Sequence, residues 1–258
     1  LRRRGVKVIN YVHVLDRTAH GRDAGHPYLS LAFEHVYDAI LTCSRDMVRW
    51  MQSMGVPAAK LRQVLNAPSY EMTGDEVASA LATRRDDSGE RPLRAMFLGR
   101  FDAQKGIERL YAVIRELQFR GIEVDWRVVG RDVLDAGAGA SWQEKFREIG
   151  TTVLPPLYSG AELTKAFTWA DVVVLPSRWE GAPLTILEAQ RVGCLPIATD
   201  VGAVSELIAD GHDGLLVAAD SEGGIVEQFV AQLTKLGADR ALLRRLSDAG
   251  AERAAKLN

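Results

Sequence analysis

Two glutamates, Glu180 and Glu188, stand eight residues apart in LPSRWEGAPLTILEA, residues 175–189. The segment between them is mostly apolar. A carboxylate drawn into such a setting needs hydrogen-bond donors, and the hydroxyls of a sugar or a ribose supply them. Pro183 suits the first position of a helix. The leading amides of that helix, around Ala182, Leu184 and Thr185, carry partial positive charge suited to a phosphate. Taken alone, either glutamate reads as a surface carboxylate or a cap; the neighbouring segments change the balance.

A second set of anion handles lies in LGRFDAQKG, residues 98–106. Arg100 and Lys105 follow a strand-like run, so both belong at the carboxyl edge of a sheet, where they could hold a diphosphate. Alone, this loop reads as two solvated cations. Its spacing is neither that of a Walker loop nor G-x-G-x-x-G, which makes a nicotinamide reading poor. No Asp-x-Asp occurs, and no His, Cys and carboxylate cluster has metal-ligand spacing. The expectation is a diphosphate neutralised by protein cations and helix amides, with no metal.

These residues need elements to position them. Strand-like runs over 6–15, 39–44 and 61–68 alternate with helical patterns over 28–39 and 45–55. Residues 69–92 turn polar and charged and read as an interdomain connection containing one short helix. Alternation then resumes. Strands are expected at 94–99, 124–130, 171–177, 195–200 and 214–218, with a short extended segment at 151–157. Helices are expected at 106–121, 142–150, 159–170, 183–193, 221–236 and 239–254. Continuous apolar strands separated by amphipathic helices predict an α/β fold with a doubly wound parallel sheet.

The chain has 258 residues, 47% hydrophobic and 26% charged, which suits one large or two modest globular domains. Its net charge of −2 carries no footprint for nucleic acid. No apolar run approaches the ~20 residues of a membrane-spanning helix. Cys43 and Cys194 read as two buried free thiols in a reducing compartment. The chain begins with Leu1 and a short basic LRRR, which suggests part of a longer protein.

With these residues assembled, the chain resembles family 4 retaining glycosyltransferases of the GT-B fold. The resemblance rests on GRFDAQKG, on VVG at 128–130, on ADVVVLPSRWEGAPLTILEAQRVGCLPIATDVGAVSELI at 170–208, and on DGLLV at 213–217. Glu180 and Glu188 fit that family's E-x7-E pair. YVHVLD at 11–16, DAILTCS at 38–44 and MGVPAAKLRQVLNAPS at 54–69 are similar to the latter part of its acceptor domain. The resemblance implies a GT-B-like chain: residues 1–72 from the acceptor-side, partial Rossmann-like domain, 73–92 a linker, and 93–258 the Rossmann-like donor domain.

It also implies roles. Arg100 and Lys105 would hold the nucleotide diphosphate, Glu180 would touch the donor sugar and Glu188 the ribose. Backbone from Gly181 through Ala182, Pro183 and Leu184 to Thr185 would approach sugar and phosphates. His13 would lie near the donor sugar, and Gly130 and Leu157 would complete the donor contacts. Where the family often has Phe-Gly and Gly-Gly, this chain has Ala182-Pro183 and Gly202-Ala203. The family's first strand and glycine-rich loop have no counterpart here, nor does its crossing C-terminal helix.

The implied reaction moves a sugar from a nucleotide diphosphate donor to a sugar, lipid-linked or glycan acceptor hydroxyl, with retention, in polysaccharide or glycoconjugate biosynthesis. No cofactor is implied beyond the donor itself. The expected setting is cytoplasmic, with room for peripheral membrane association through a segment before Leu1. A non-catalytic nucleotide-sugar-binding module and a GT-B nucleotide-sugar epimerase stand as alternatives.

Overall fold

The computed structural model describes residues 6–13, 30–64, 66–68, 70–85, 90–132 and 141–256. The end of the strand expected over 6–15, the start of the helix expected over 28–39 and the charged stretch 86–89 lie outside them. Two compact units emerge. One comprises Leu1–Ala67, Trp179–Pro183 and Val201–Leu207; the other comprises Pro68–Arg178, Leu184–Asp200 and Ile208–Asn258.

The first unit contains a three-stranded parallel sheet of β1 (Ile9–Val12), β2 (Ala39–Thr42) and β3 (Leu61–Gln63), in that order. Ile9 pairs with Ala39, and Ile40 with Leu61. Helix α1 (Arg45–Ser53) starts where Ser44 Oγ accepts from the Met47 amide at 2.9 Å, an N-cap that satisfies one of the helix's orphan donors. Met47 and Met51, one turn apart, bury against Val12, Ile40, Val56 and Leu61. Of the helix expected over 28–39, residues 30–32 are α-helical and Glu34–Val36 form a 3-10 turn, before strand β2 begins at Ala39.

The second unit holds six parallel strands: β4 (Leu93–Leu98), β5 (Val124–Val129), β6 (Thr152–Leu154), β7 (Val172–Leu175), β8 (Leu195–Thr199) and β9 (Leu215–Val217). Their spatial order is β6-β5-β4-β7-β8-β9. Numbered within the unit this is 3-2-1-4-5-6, the doubly wound order that reverses between its first and fourth strands. The four residues of β7 are all buried, as a strand covered on both faces requires.

Six helices accompany these strands in chain order: α2 (Gly74–Arg85) before β4, then α3 (Ile107–Phe119), α4 (Trp142–Glu148), α5 (Gly160–Trp169), α6 (Leu184–Arg191) and, past β9, α8 (Glu222–Ala238). The short α7 (Val204–Leu207) belongs to the first unit, and α9 (Arg240–Ala255) closes the chain. On α3 the residues Ile107, Leu110, Val113, Ile114 and Leu117 fall on one helical face and join Phe229 and Leu233 of α8 in the core. Ser141 and Ser159 open α4 and α5 with capping boxes completed by Glu144 and Glu162.

Within the stretch read as a connection, α2 is packed structure. Arg84, near its end, donates from Nε to the Val192 carbonyl at 2.6 Å and from Nη2 to the Phe167 carbonyl at 2.5 Å. Just before β7, Asp171 accepts two hydrogen bonds from Arg91 (2.7 and 2.9 Å), one from the Arg94 amide (2.9 Å) and one from Arg240 (3.3 Å). Burial pushes the Asp171 carboxyl up, but these donors outweigh it and hold the group below its ordinary range.

Candidate functional site

The reversal of strand order in the second unit lies between β4 and β7. The loops that leave their carboxyl ends, 99–106 and 176–178, are stitched together. The Arg178 amide donates to the Gln104 carbonyl at 2.8 Å. Gly106 is left-handed (φ 65°), and a Cβ there would fall 2.0 Å from the Pro176 carbonyl oxygen. Only glycine permits both the dihedral and the approach. Beneath them the buried Arg109 donates from Nη1 to the Pro176 and Ser177 carbonyls, both at 3.1 Å. Its Nε and Nη2 grip Glu222 at 2.8 and 2.7 Å. The hydrogen bond from Arg109, aided by the charges of Arg109 and Arg178, lowers the Glu222 carboxyl to about 2.

Arg100 and Lys105 both occur in the first of these loops. Arg100 is exposed; its Nη2 donates to Gln104 Oε1 at 2.5 Å and sits 3.2 Å from Asp102 Oδ2. Asp102 Oδ1 also accepts from the Lys105 amide at 2.9 Å, so a single aspartate shapes the loop that presents both cations. Sequence reasoning missed Asp102, although an aspartate three residues before a helix-entry lysine-glycine pair is a recognisable turn signal. Gly130, at the end of β5, has φ 148°, and a Cβ on it would meet the Gly99 carbonyl oxygen at 1.9 Å. It therefore lets β5 end close against the start of the cation loop. Leu157 is half-buried beyond the end of β6.

Glu188 is buried on α6. That helix begins at Leu184, one residue after the expected Pro183, with Leu184 and Thr185 half-buried in its first turn. Tyr70, which sequence reasoning did not single out, lies near Glu188. Burial and then the Glu188 charge push its phenol well above the ordinary range. The Tyr70 carbonyl accepts from Arg191 Nη1 at 3.1 Å, and its ring lies where a Cβ on Gly160 would approach to 3.0 Å.

Glu180, Gly181, Ala182, Pro183 and His13 belong to the first unit. Glu180 is 4% exposed. The backbone around it is fixed from several sides. Gly202 is left-handed (φ 60°), and a Cβ on it would lie 1.9 Å from the Glu180 carbonyl oxygen; one on Gly181 would lie 1.8 Å from that of His13. The Ala203 amide donates to the Gly181 carbonyl at 2.9 Å. Cys43 Sγ donates to the His13 carbonyl at 3.1 Å. Asn66 Nδ2 donates to the Ala182 carbonyl at 2.7 Å, while Asn66 Oδ1 accepts from the Tyr11 hydroxyl at 2.9 Å. The His13 ring is exposed and sits 3.9 Å, centroid to centroid, from that of Tyr11. In the same unit Glu206 accepts from the Arg45 and Asp46 amides at 3.0 and 2.9 Å, holding the N-terminus of α1.

The site residues expected from the sequence thus divide. Arg100, Lys105, Gly130, Leu157, Leu184, Thr185 and Glu188 belong to the second unit, and His13 and Glu180–Pro183 to the first. Cys43 and Cys194 are both buried free thiols, the latter pushed up to about 12 by burial. Among the described residues no helix is long and apolar enough to cross a membrane, and no group of three or more His, Cys, Asp and Glu side chains has the arrangement of a metal site.

Comparison with known proteins adds a family to this geometry. The family described as glycosyl transferases group 1 matches residues 92–238, more than half of the chain. Glycogen synthase of Thermus thermophilus is 30% identical over 207 residues, covering 73% of this chain and 46% of that protein. An uncharacterised 41.2 kDa protein in the cps region of Klebsiella pneumoniae is 29% identical over 191 residues, covering 74% of this chain and 50% of that one. The chain spans about half the length of these curated relatives. Among solved structures, Anabaena Alr3699/HepE in complex with UDP and glucose superposes with a TM-score of 0.74 at 14% identity, over 97% of this chain and 67% of that one. That likeness identifies the fold as GT-B. The chain belongs to the glycosyl transferases group 1 family.

Proposed function

We propose that this chain serves a glycosyltransferase that moves a sugar from a nucleotide diphosphate donor to an acceptor hydroxyl, with retention of configuration and without a metal. The observation that carries the reading is the stitched pair of loops at the strand-order reversal. Arg100 and Lys105 lie in one, and the other leads on to Glu180 and α6. Open α/β sheets bind ligands at this point. The family assignment and a neighbour solved with UDP and glucose support the same reading.

Departure of the diphosphate is the costly step, because negative charge builds on its leaving oxygen. Arg100, Lys105 and the leading amides of α6 stabilise that charge, each preorganised donor contributing about 3 kcal/mol in comparable sites. Glu188 accepts from the ribose hydroxyls and Glu180 from those of the transferred sugar. His13 supplies a polar group near that sugar. No side chain is placed as a nucleophile; the acceptor hydroxyl attacks on the face the diphosphate leaves, and the departing phosphate takes its proton. The acceptor is a sugar, a lipid-linked sugar or a glycan, with peripheral membrane association of the whole protein part of the proposal.

Two substitutions test these roles. A hydrogen bond to a charged group contributes roughly 1.5–3 kcal/mol. Glu188→Ala is expected to weaken both a nucleoside diphosphate and its sugar conjugate about ten- to a hundredfold in calorimetry. Glu180→Ala is expected to spare the bare diphosphate, weaken the conjugate and lower turnover by the full-length protein. Equal weakening of both ligands by Glu180→Ala, or none by Glu188→Ala, means the roles are misassigned. Turnover of the nucleotide sugar without any acceptor would point to an epimerase, and binding without turnover by the full-length protein to a binding module.

A further inference from the structure

We infer that Asn66 is a positioning residue, whose side-chain amide holds the Gly181–Pro183 backbone in the form that lets Glu180 meet the transferred sugar. The inference rests on the reading of Glu180 given above. Its basis is a chain of hydrogen bonds inside the first unit: Tyr11 O–H to Asn66 Oδ1 at 2.9 Å, then Asn66 Nδ2–H to the Ala182 carbonyl at 2.7 Å. A carbonyl oxygen can only accept, so the amide has one satisfactory orientation, with nitrogen toward Ala182 and oxygen toward the phenol. Burial raises the Tyr11 phenol above its ordinary range and keeps it a donor.

The rest of the loop leaves Asn66 a specific task. Gly202 closes on the Glu180 carbonyl and Ala203 donates to that of Gly181, which fixes the loop up to residue 181. The Ala182 carbonyl, next in line, is fixed by the Asn66 amide. Glu180 is 4% exposed, so a shift of this backbone moves a carboxylate that has little room to compensate by rotation. Asn66 is also the last residue but one of the first unit before the chain passes to the second at Pro68.

The test uses variants of nearly equal size and reads binding against pH. Asn66→Asp keeps the acceptor for Tyr11 but at neutral pH sets a carboxylate against the Ala182 carbonyl. When protonated, the same side chain can donate again. The other titratable groups around this position are Tyr11, His13, Cys43, Glu180 and Glu206, all present in the wild type too, so the variant-to-wild-type ratio isolates the substituted side chain. UDP-, GDP- and ADP-linked glucose and mannose, with the matching nucleoside diphosphates, serve as probes in calorimetry.

With the nucleotide sugar that the wild type binds, Asn66→Asp is expected to weaken affinity about tenfold at pH 8. The ratio should return to within about threefold at pH 5, while affinity for the bare diphosphate stays within about twofold throughout. Asn66→Ala should lose about tenfold at both pH values, with no recovery. Wild-type affinity of Asn66→Asp for the nucleotide sugar at pH 8, equal weakening of the bare diphosphate, or no recovery at pH 5 would overturn the inference. A wild type that binds none of the probes overturns the reading of Glu180 itself, and this inference with it.

Discussion

Gly106 shows how one residue's missing side chain sets the geometry of a site. A methyl group there would collide with the Pro176 carbonyl, and the left-handed backbone resists any substitution. Gly106→Ala is therefore expected to cost more than ~1 kcal/mol of stability and, by parting the two stitched loops, to weaken nucleoside diphosphate binding at least tenfold; melting curves and calorimetry check both. Lys105→Ala should weaken the diphosphate about ten- to a hundredfold, from the ~1.5–3 kcal/mol of a charged hydrogen bond. At this scale the charged candidates were legible: Arg100, Lys105, Glu180 and Glu188 stand out by type and spacing. Their supports were not. Asn66 in LNAP and Asp102 in RFDAQ read as ordinary turn residues, because what distinguishes them is a partner that folding brings near.

Among the elements, the apolar runs of β7 and β8 were readable because a strand buried on both faces has no choice but to be continuous and apolar. Shorter pieces were less so. The strand expected over 61–68 stops at Gln63, and the extended segment over 151–157 pairs as a strand only to Leu154, just before Pro155 and Pro156, which lack the amide that a ladder needs. Ion pairs anchor several element ends. Removing Asp171 would strand Arg91 and Arg240 without their carboxylate, so Asp171→Ala should destabilise the second unit by about 3 kcal/mol in denaturant unfolding. Glu222 gives a pH signature. Its folded pKa, about 2, lies below the ordinary carboxylate value, so its contribution is complete above about 4.5 and is lost as pH falls toward 2. The carboxylate is more than half exposed, which keeps that contribution to about 1 kcal/mol or less. The melting-temperature gap between wild type and Glu222→Gln should be constant from pH 8 to 5 and close below pH 4.5.

For the whole molecule, the doubly wound parallel sheet of the second unit was foreseeable from alternation, though not its strand order, and the family from its motifs. What alternation could not reveal is that Trp179–Pro183 and Val201–Leu207, embedded in the second half of the chain, pack as part of the first unit. Those memberships depend on contacts such as Glu206 with the α1 amides, made across about 160 residues of chain. Above all, this chain is expected to bind a nucleotide diphosphate sugar through its own cations and amides. Calorimetric titration of the wild-type chain with UDP-, GDP- and ADP-linked glucose and mannose and their parent diphosphates, with and without a chelator, tests it most directly. The prediction is that at least one diphosphate and its sugar conjugate bind, with affinities that change less than tenfold when metal is removed. Binding of none, or a loss beyond tenfold (~1.4 kcal/mol) in chelator, would contradict it.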